Sequence, residues 1–178
     1  PRAAPPGSQF LYSSGESNLI GLLVTRATGK GLAQFLSEKI WIPYGMERDA
    51  VWITDGGIEM GGACVNMTLR DYARFGAFIL GGGRIGRKSI LVDNWVRDST
   101  RPYSQKVFGD IGYGYQWWPH GAGSFEALGI FGQSVYIDPR TSTIVVTLSA
   151  WPHADWEEGN ARRAAFLDGV KSALRMPR

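Results

Sequence analysis

The tyrosine at position 12 is the residue of this chain best suited to transfer a proton. It follows the proline-rich stretch Pro5-Pro6-Gly7 and precedes the small polar residues Ser13 and Ser14. The segment that comes next is apolar nearly all round, which predicts a buried helix over residues 14–28, ended by Gly29. A phenol held at the entrance of such a helix can act as a general acid or base. A catalytic role for Tyr12 and plain packing at the helix entrance are the two interpretations, and these residues alone favour packing.

No serine nucleophile can be recognised in the sequence. Neither a Gly-x-Ser-x-Gly elbow nor a Ser-x-x-Lys motif occurs in the 178 residues. A serine nucleophile needs a base within hydrogen-bond reach and N–H donors aimed at the developing oxyanion. We therefore expect this chain to supply acid–base and oxyanion groups to an active site whose nucleophile lies elsewhere.

Three other patterns favour structure over chemistry. His120 and His153 are far apart and no carboxylate pattern accompanies them, so we expect surface or capping histidines and no metal. The glycines at 81–83 lack the Lys-Ser/Thr pair of a phosphate loop. Trp117-Trp118 could stack on a base or sugar, but packing on the two faces of a strand is favoured. We expect no cofactor.

The overall composition is that of an ordinary globular protein. Hydrophobic residues make up 44% and charged residues 20% of the chain. The net charge of +3 is mild and the basic residues are scattered, so nucleic acid is not an expected partner. The single cysteine, Cys64, rules out an internal disulfide. The first residue is Pro1 and not Met, which predicts a processed or truncated part of a longer chain.

The hydrophobic pattern changes from helical to extended near residue 103. Further helices are predicted over residues 32–40, from Thr68 as N-cap to Gly81, and over 93–99. After the change we predict strands over 112–118, 126–131, 133–137 and 143–150, and a last helix over 160–174. The short connections indicate an antiparallel meander. The fold class is therefore α+β, an antiparallel sheet flanked by helices with a helical lobe.

Four segments in chain order support a family assignment. Residues 6–14 with 18–21 form a Tyr-x-Asn-like region, and residues 41–46 are similar to a Pro-Leu-Gly-Met segment. Gly61-Gly62 with residues 68–76 is similar to a Gly-Gly…Thr-x-Arg-Asp segment. Residues 128–133, followed by Asp138-Pro139, are similar to a Lys-Thr-Gly strand and the strand after it. Together they resemble the class C β-lactamase-like serine hydrolases. That superfamily includes penicillin-binding DD-peptidases, family VIII carboxylesterases and nylon-oligomer hydrolases.

The resemblance implies a role for each matching residue. The chain would be the C-terminal part of one such domain, with a helical part at about 12–102 and the sheet with its last helix at about 111–175. The nucleophile would be the Ser of an upstream Ser-x-x-Lys, and Tyr12 would relay its proton to the leaving group. The backbone N–H of Ile130 would form half of the oxyanion hole on its strand. Ser14, Gly129 and Phe131 would contact the substrate.

Two departures from the family pattern bear on the substrate. Ser14 stands where β-lactamases and DD-peptidases usually have Asn, and Ala127-Leu128-Gly129 replaces Lys-Thr-Gly, so no cation is available for a substrate carboxylate. Both changes favour an ester or amide over antibiotics and peptidoglycan. The alternatives are a non-catalytic ligand-binding or sensor domain, and a true β-lactamase or DD-peptidase. The expected partners are the substrate and the missing upstream segment or a second copy; the family implies a bacterial cytoplasmic or periplasmic protein.

Overall fold

Residues 4–108 and 111–175 are described by the computed structural model, and the chain divides into two units after Asp71. Among these residues, no helix is both long enough and apolar enough to cross a lipid bilayer. The same residues contain no group of three or more His, Cys, Asp or Glu that could hold a metal ion. That the whole chain forms part of one domain stays a prediction.

The first helix of the first unit, α1, has the predicted bounds Ser14–Thr28. The hydroxyl of Ser13 caps its start by accepting a hydrogen bond from the N–H of Glu16, and Gly29 ends it with a φ of 66°. The prediction that this helix is buried is wrong for the described chain, because Gly21 is its one buried residue. Three large apolar side chains are more than half exposed: Leu19, Ile20 and Leu23.

The second helical segment continues beyond its predicted end. It consists of α2 (Leu32–Leu36), a π-helical turn (Ser37–Trp41) and α3 (Ile42–Tyr44), and Gly45 ends it with a φ of 78°. The helix continues past Pro43 because this proline lies in the first turn of α3, where its missing N–H is not needed. The π-helical turn before it shifts the hydrogen-bond spacing to five residues.

Four two-residue strands form two small hairpin-like pairs in the first unit. β1 (Val51–Trp52) pairs with β4 (Val65–Asn66), and β2 (Thr54–Asp55) pairs with β3 (Ile58–Glu59), all antiparallel. Gly56 and Gly57 connect β2 to β3 with positive φ angles, as a tight two-residue hairpin requires. The predicted strand over residues 51–54 is therefore present as two short pieces.

Asp71 anchors the start of α4 (Leu69–Leu80) to the segment after α3. Its side chain is fully buried, and its carboxylate accepts hydrogen bonds from the N–H groups of Glu47 (2.7 Å) and Arg48 (3.2 Å). Thr68 caps the helix as predicted, since its hydroxyl accepts from the N–H of Asp71 at 3.1 Å and donates to the carboxylate at 2.8 Å. Asp71 therefore accepts hydrogen bonds both from the segment after α3 and from the capping Thr68.

We expect Asp71→Asn to lower the free energy of unfolding by about 1–3 kcal/mol, because the new amide group would leave one of these part-buried backbone N–H groups without an acceptor. Chemical denaturation of the purified protein measures this loss. Asp49→Asn is the matched control, because Asp49 is exposed, and we expect it to change stability by less than about 0.5 kcal/mol. Equal losses in the two variants would show that Asp71 does not anchor the segment.

The second unit contains the predicted antiparallel sheet. Its strands are β9 (Trp118–Pro119), β10 (Phe125–Leu128), β11 (Ser134–Asp138) and β12 (Thr143–Thr147), in the spatial order β12-β11-β10-β9. The last helix, α6, spans Glu157–Arg175. The remaining elements are β5 (Arg84–Ile85), β6 (Lys88–Ser89), α5 (Trp95–Ser99), β7 (Ser104–Phe108), β8 (Ile111–Tyr113) and a 3₁₀ turn (Gly121–Gly123).

The core of this unit lies where α4 packs on the sheet. Phe78 is 1% and Ile137 is 0% exposed. Gly76 permits the close approach, because a Cβ at this position would lie 2.9 Å from Cγ2 of Ile144. The neighbouring Trp117 and Trp118 are buried, and their rings pack on Phe125 and Tyr113 respectively. The packing interpretation of this tryptophan pair is thereby confirmed.

Three predicted strands are shorter than expected, and the one predicted over 143–150 ends at Thr147. The strand predicted over 112–118 is split into β8 and β9 by a turn in which Gln116 has a φ of 63°. The strand predicted over 126–131 ends at Leu128, because the N–H of Gly129 bonds the carbonyl of Gln133 at 2.8 Å and reverses the chain. Ile130 and Phe131 therefore lie in a turn and not on a strand. In addition, α5 begins two residues later and α6 three residues earlier than predicted.

Candidate active site

Tyr12 and Ser14 lie together at the start of α1, in the first unit. Tyr12 directly precedes the capping residue Ser13, and Ser14 is the first residue of the helix. Both side chains are exposed, with 56% of Tyr12 open to solvent. The helix cap therefore fixes the backbone on which the Tyr12 side chain is presented, as the sequence predicted, although at an open surface.

A glycine pair holds the next turn of α1 in place. The side-chain carbonyl of Asn18 accepts a hydrogen bond from the N–H of Gly62 at 3.0 Å. Gly61 lies so close to the helix that a Cβ there would be 2.7 Å from the backbone oxygen of Ser17. The contact needs glycine on both sides, because a Cβ on Gly21 would lie 3.0 Å from the Cα of Gly61. This packing accounts for Gly61-Gly62 without a catalytic role.

The turn between β10 and β11, residues 129–133, is termed the glycine loop. It contains the predicted residues Gly129, Ile130 and Phe131, all in the second unit. Each of its first four backbone carbonyls accepts a hydrogen bond. The carbonyl of Gly129 accepts from the N–H of Gly132 (3.1 Å), and that of Gly132 accepts from the hydroxyl of Thr147 (3.2 Å). The carbonyl of Ile130 accepts from the N–H of Asp155 (2.8 Å), and that of Phe131 accepts from the N–H of Trp151 (3.3 Å).

Three of the five backbone donors of the glycine loop are occupied. The N–H groups of Gly129 and Gly132 bond within the loop, and that of Phe131 bonds the side-chain oxygen of Gln133 at 3.2 Å. Over residues 4–108 and 111–175, no acceptor is found for the N–H of Gln133 or for that of Ile130. Because the peptide group is planar and trans, the N–H of Ile130 points opposite to the Gly129 carbonyl, which bonds inside the turn. It is therefore a fixed, outward donor.

Gly132 is sterically required in the loop, and Gly129 is closely packed. A Cβ on Gly129 would lie 2.5 Å from the side-chain oxygen of Gln133. Gly132 has a φ of 91°, and a Cβ there would overlap the indole ring of Trp151. Trp151 itself packs edge-on against Trp156, with ring centroids 6.3 Å apart. Residues 151–156, termed the clamp segment, thus hold the glycine loop through both side-chain packing and two backbone hydrogen bonds.

A buried ionic group lies beside this loop, and sequence reasoning missed it. Glu126 is 2% exposed, and its carboxylate contacts Nε2 of His120 at 2.9 Å and Nη1 of Arg163 at 2.6 Å. Burial raises the pKa of Glu126, but the hydrogen bond from His120 and the charge of Arg163 outweigh it, so the pKa lies below its ordinary value. Glu126 is therefore ionised at neutral pH.

The prediction that His120 is a surface or capping histidine is accordingly wrong. Its ring is only 22% exposed and it bonds a buried acid. The one signal in the sequence was an acidic residue within the mostly apolar strand that became β10. That signal did not identify the partners, because His120 and Arg163 are six and 37 residues away along the chain.

The predicted site residues thus form two groups. Tyr12 and Ser14 share the start of one helix, and Gly129, Ile130 and Phe131 share one loop. Ile130 and Phe131 are exposed, at 53% and 39% of their surfaces, so each is open to a ligand. Contact of Ser14, Gly129 and Phe131 with substrate stays a prediction.

Comparison with known proteins gives consistent matches. A family model described as Beta-lactamase matches residues 1–169. A 6-aminohexanoate-dimer hydrolase from Paenarthrobacter ureafaciens is 30% identical over 93% of this chain and 45% of its own. A solved Bacillus anthracis protein, provisionally named a 6-aminohexanoate-dimer hydrolase, aligns with a TM-score of 0.86 and 34% identity, over 100% of this chain and 48% of its own.

A more distant structure shares the fold. A beta-lactamase from Mycobacterium bovis aligns with a TM-score of 0.75 at 21% identity, covering 97% of this chain and 67% of its own. The mixed helical and antiparallel architecture predicted from the sequence is thereby confirmed as β-lactamase-like. The chain spans less than half the length of the two hydrolases it matches.

Proposed function

Because the chain belongs to the beta-lactamase family, we propose that it forms part of a serine hydrolase that cleaves an ester or an amide through an acyl-enzyme. The observation that carries the proposal is the outward N–H of Ile130, left over in a loop whose backbone carbonyls all accept hydrogen bonds. Such a fixed donor costs no reorganisation when negative charge develops on a substrate oxygen. The nucleophile would be the Ser of a Ser-x-x-Lys motif in the preceding part of the protein.

The proposed reaction has two steps. The serine oxygen adds to the substrate carbonyl, Tyr12 accepts the serine proton while passing its own phenol proton to the Lys of the upstream Ser-x-x-Lys, and the N–H of Ile130 donates to the oxyanion together with the N–H of the nucleophile. Collapse of this intermediate breaks the ester or amide bond, and Tyr12 gives its proton to the departing alcohol or amine and regains one from the Lys. Water then attacks the acyl-enzyme by the same route and releases the acid.

The strand before the glycine loop supports a substrate without a bound carboxylate. Ala127 and Leu128 provide no cation where the family's Lys-Thr-Gly would have one, and both are partly buried. Ser14 is too short to reach as far as the usual Asn. The name of the relative from Paenarthrobacter ureafaciens adds support for a hydrolase of the 6-aminohexanoate-dimer type. We therefore propose an ester or a linear amide as substrate.

The exposed apolar side chains of α1 support a further partner for this chain. Leu19, Ile20 and Leu23 present more than half of their surfaces to solvent. We propose that the preceding segment of the same protein covers them, with a second copy of the chain as the alternative. Exposed surface of this kind lowers stability and promotes association.

The test of the proposed function is hydrolysis of p-nitrophenyl butyrate by the full-length protein and by the 178-residue chain alone. We expect turnover by the full-length protein and none above background by the chain, because the nucleophile is absent from it. No turnover by the full-length protein would favour the sensor interpretation, and faster cleavage of nitrocefin would favour a true β-lactamase. Turnover by the chain alone would contradict the proposed division of the active site.

A further inference from the structure

We propose that Glu126 and Arg163 are positioning residues that fix the direction of the Ile130 N–H. This inference rests on the proposed function, since it gives that N–H the role of oxyanion donor. Neither side chain lies in the glycine loop. Both act on the loop through the elements that hold it, and all of the residues involved belong to the second unit.

The ion pair itself is closely held. Its two members are 2% and 15% exposed, and their nitrogen and oxygen are 2.6 Å apart. The second carboxylate oxygen of Glu126 is occupied by His120, which leaves the carboxylate little freedom to rotate. In a buried setting such a charge-assisted bond is short and directional, so it transmits the position of one backbone to the other.

The ion pair connects the two elements that flank the segments holding the Ile130 amide. Glu126 is on β10, which ends two residues after it and continues directly into the glycine loop. Arg163 is on α6, which begins directly after the clamp segment. The clamp segment in turn holds the carbonyls of Ile130 and Phe131 through its own N–H groups. A shift of α6 relative to β10 must therefore move the clamp segment and tilt the peptide before Ile130.

Stability alone does not explain the choice of residues. A buried ion pair is often no more stabilising than apolar side chains of the same size, because both charges lose their hydration. The ion pair adds a fixed distance between β10 and α6. These two elements flank the Ile130 N–H, which must point at one position. A 1 Å error at such a donor can lower a rate about 100-fold.

The test compares Glu126→Gln with Glu158→Gln in the full-length protein. Glu158 is the matched control because it pairs with Arg162 on the same helix but is exposed, at 58%. We expect Glu126→Gln to lower kcat for the ester about tenfold or more, with KM changed less than twofold. The affinity for an alkyl boronic acid, which mimics the tetrahedral intermediate, should fall in proportion to kcat. Glu158→Gln should leave all three unchanged.

A purely structural role gives a different result. If Glu126→Gln lowers only the melting temperature, with kcat per folded molecule and boronic acid affinity retained, the proposal is overturned. Should this variant not fold, Arg163→Lys decides, because it keeps the charge but loses the planar fork that reaches the carboxylate. The same fall in kcat and in boronic acid affinity supports the proposal, and unchanged values overturn it.

A separate measurement distinguishes this inference from the proposed function. The amide resonance of Ile130 in the full-length protein reports its local geometry whether or not the protein turns over an ester. A shift of this resonance in Glu126→Gln, absent in Glu158→Gln, supports positioning even if the hydrolase activity is not found. An unmoved resonance in an active enzyme overturns the positioning role and leaves the proposed function intact.

Discussion

Replacing Tyr12 with Phe is expected to lower kcat of the full-length protein by about two orders of magnitude or more, because positioned general acid–base groups contribute about 10²–10⁴ to the rate. The substitution removes one hydroxyl and keeps the ring, so the start of α1 and its Ser13 cap should be undisturbed. Initial rates with p-nitrophenyl butyrate measure the change. KM should alter little, since the phenol acts on protons and not on ground-state binding.

Tyr115→Phe is the matched control for this experiment. Tyr115 is also about half exposed, and its hydroxyl bonds that of Tyr103 at 3.1 Å in a stacked pair. The control loses a hydroxyl of the same kind and should retain full turnover. If Tyr12→Phe also retained it, Tyr12 would have no part in proton transfer and the packing interpretation would be correct.

Replacing Gly132 with Ala is expected to lower kcat by about 100-fold, at the lower end of what loss of an oxyanion donor costs. The new Cβ would overlap the ring of Trp151, and the residue would have to hold a φ of 91° that suits only glycine. Relief of this overlap moves either the glycine loop or the clamp segment. In both cases the Ile130 N–H changes direction, and the rate of ester hydrolysis measures the loss of kcat.

Gly123→Ala separates the steric effect from backbone strain. Gly123 has a φ of 85°, close to that of Gly132, but no atom lies within 4 Å of a Cβ placed there. We expect this control to lose about 1–2 kcal/mol of stability through the strained backbone and to keep its kcat. Equal kcat losses in the two variants would show that the contact between Gly132 and Trp151 does not set the oxyanion donor.

The elements of this fold were largely readable from local patterns. Helix α1 has the predicted bounds, because a serine cap and a terminal glycine are signals that lie within a few residues of one another. The antiparallel sheet was predicted from its short connections. The end of β10 was not, because Leu128 and Ile130 are equally suitable for a strand, and only the bond from Gly129 to Gln133 decides where the chain turns.

The site was predictable to different degrees. Tyr12, Gly129 and Ile130 were identified through the family resemblance, and the hydrogen bonds of the glycine loop then show that the N–H of Ile130 is left over. Glu126 and Arg163 could not be paired in advance, because no local pattern links residues 37 positions apart. The exposure of α1 was also unexpected. An apolar sequence indicates that a helix packs against another segment, but it does not identify that segment.

The most direct test of the central claim is a crystal structure of the full-length protein with a phosphonate ester bound covalently to its nucleophilic serine. The account predicts that a phosphoryl oxygen lies about 2.7–3.1 Å from the backbone nitrogen of Ile130. It also predicts that the hydroxyl of Tyr12 lies within about 3.2 Å of the serine oxygen or of the leaving-group position. A bound phosphonate that contacts neither group, or a Tyr12 on another face of the molecule, would contradict it.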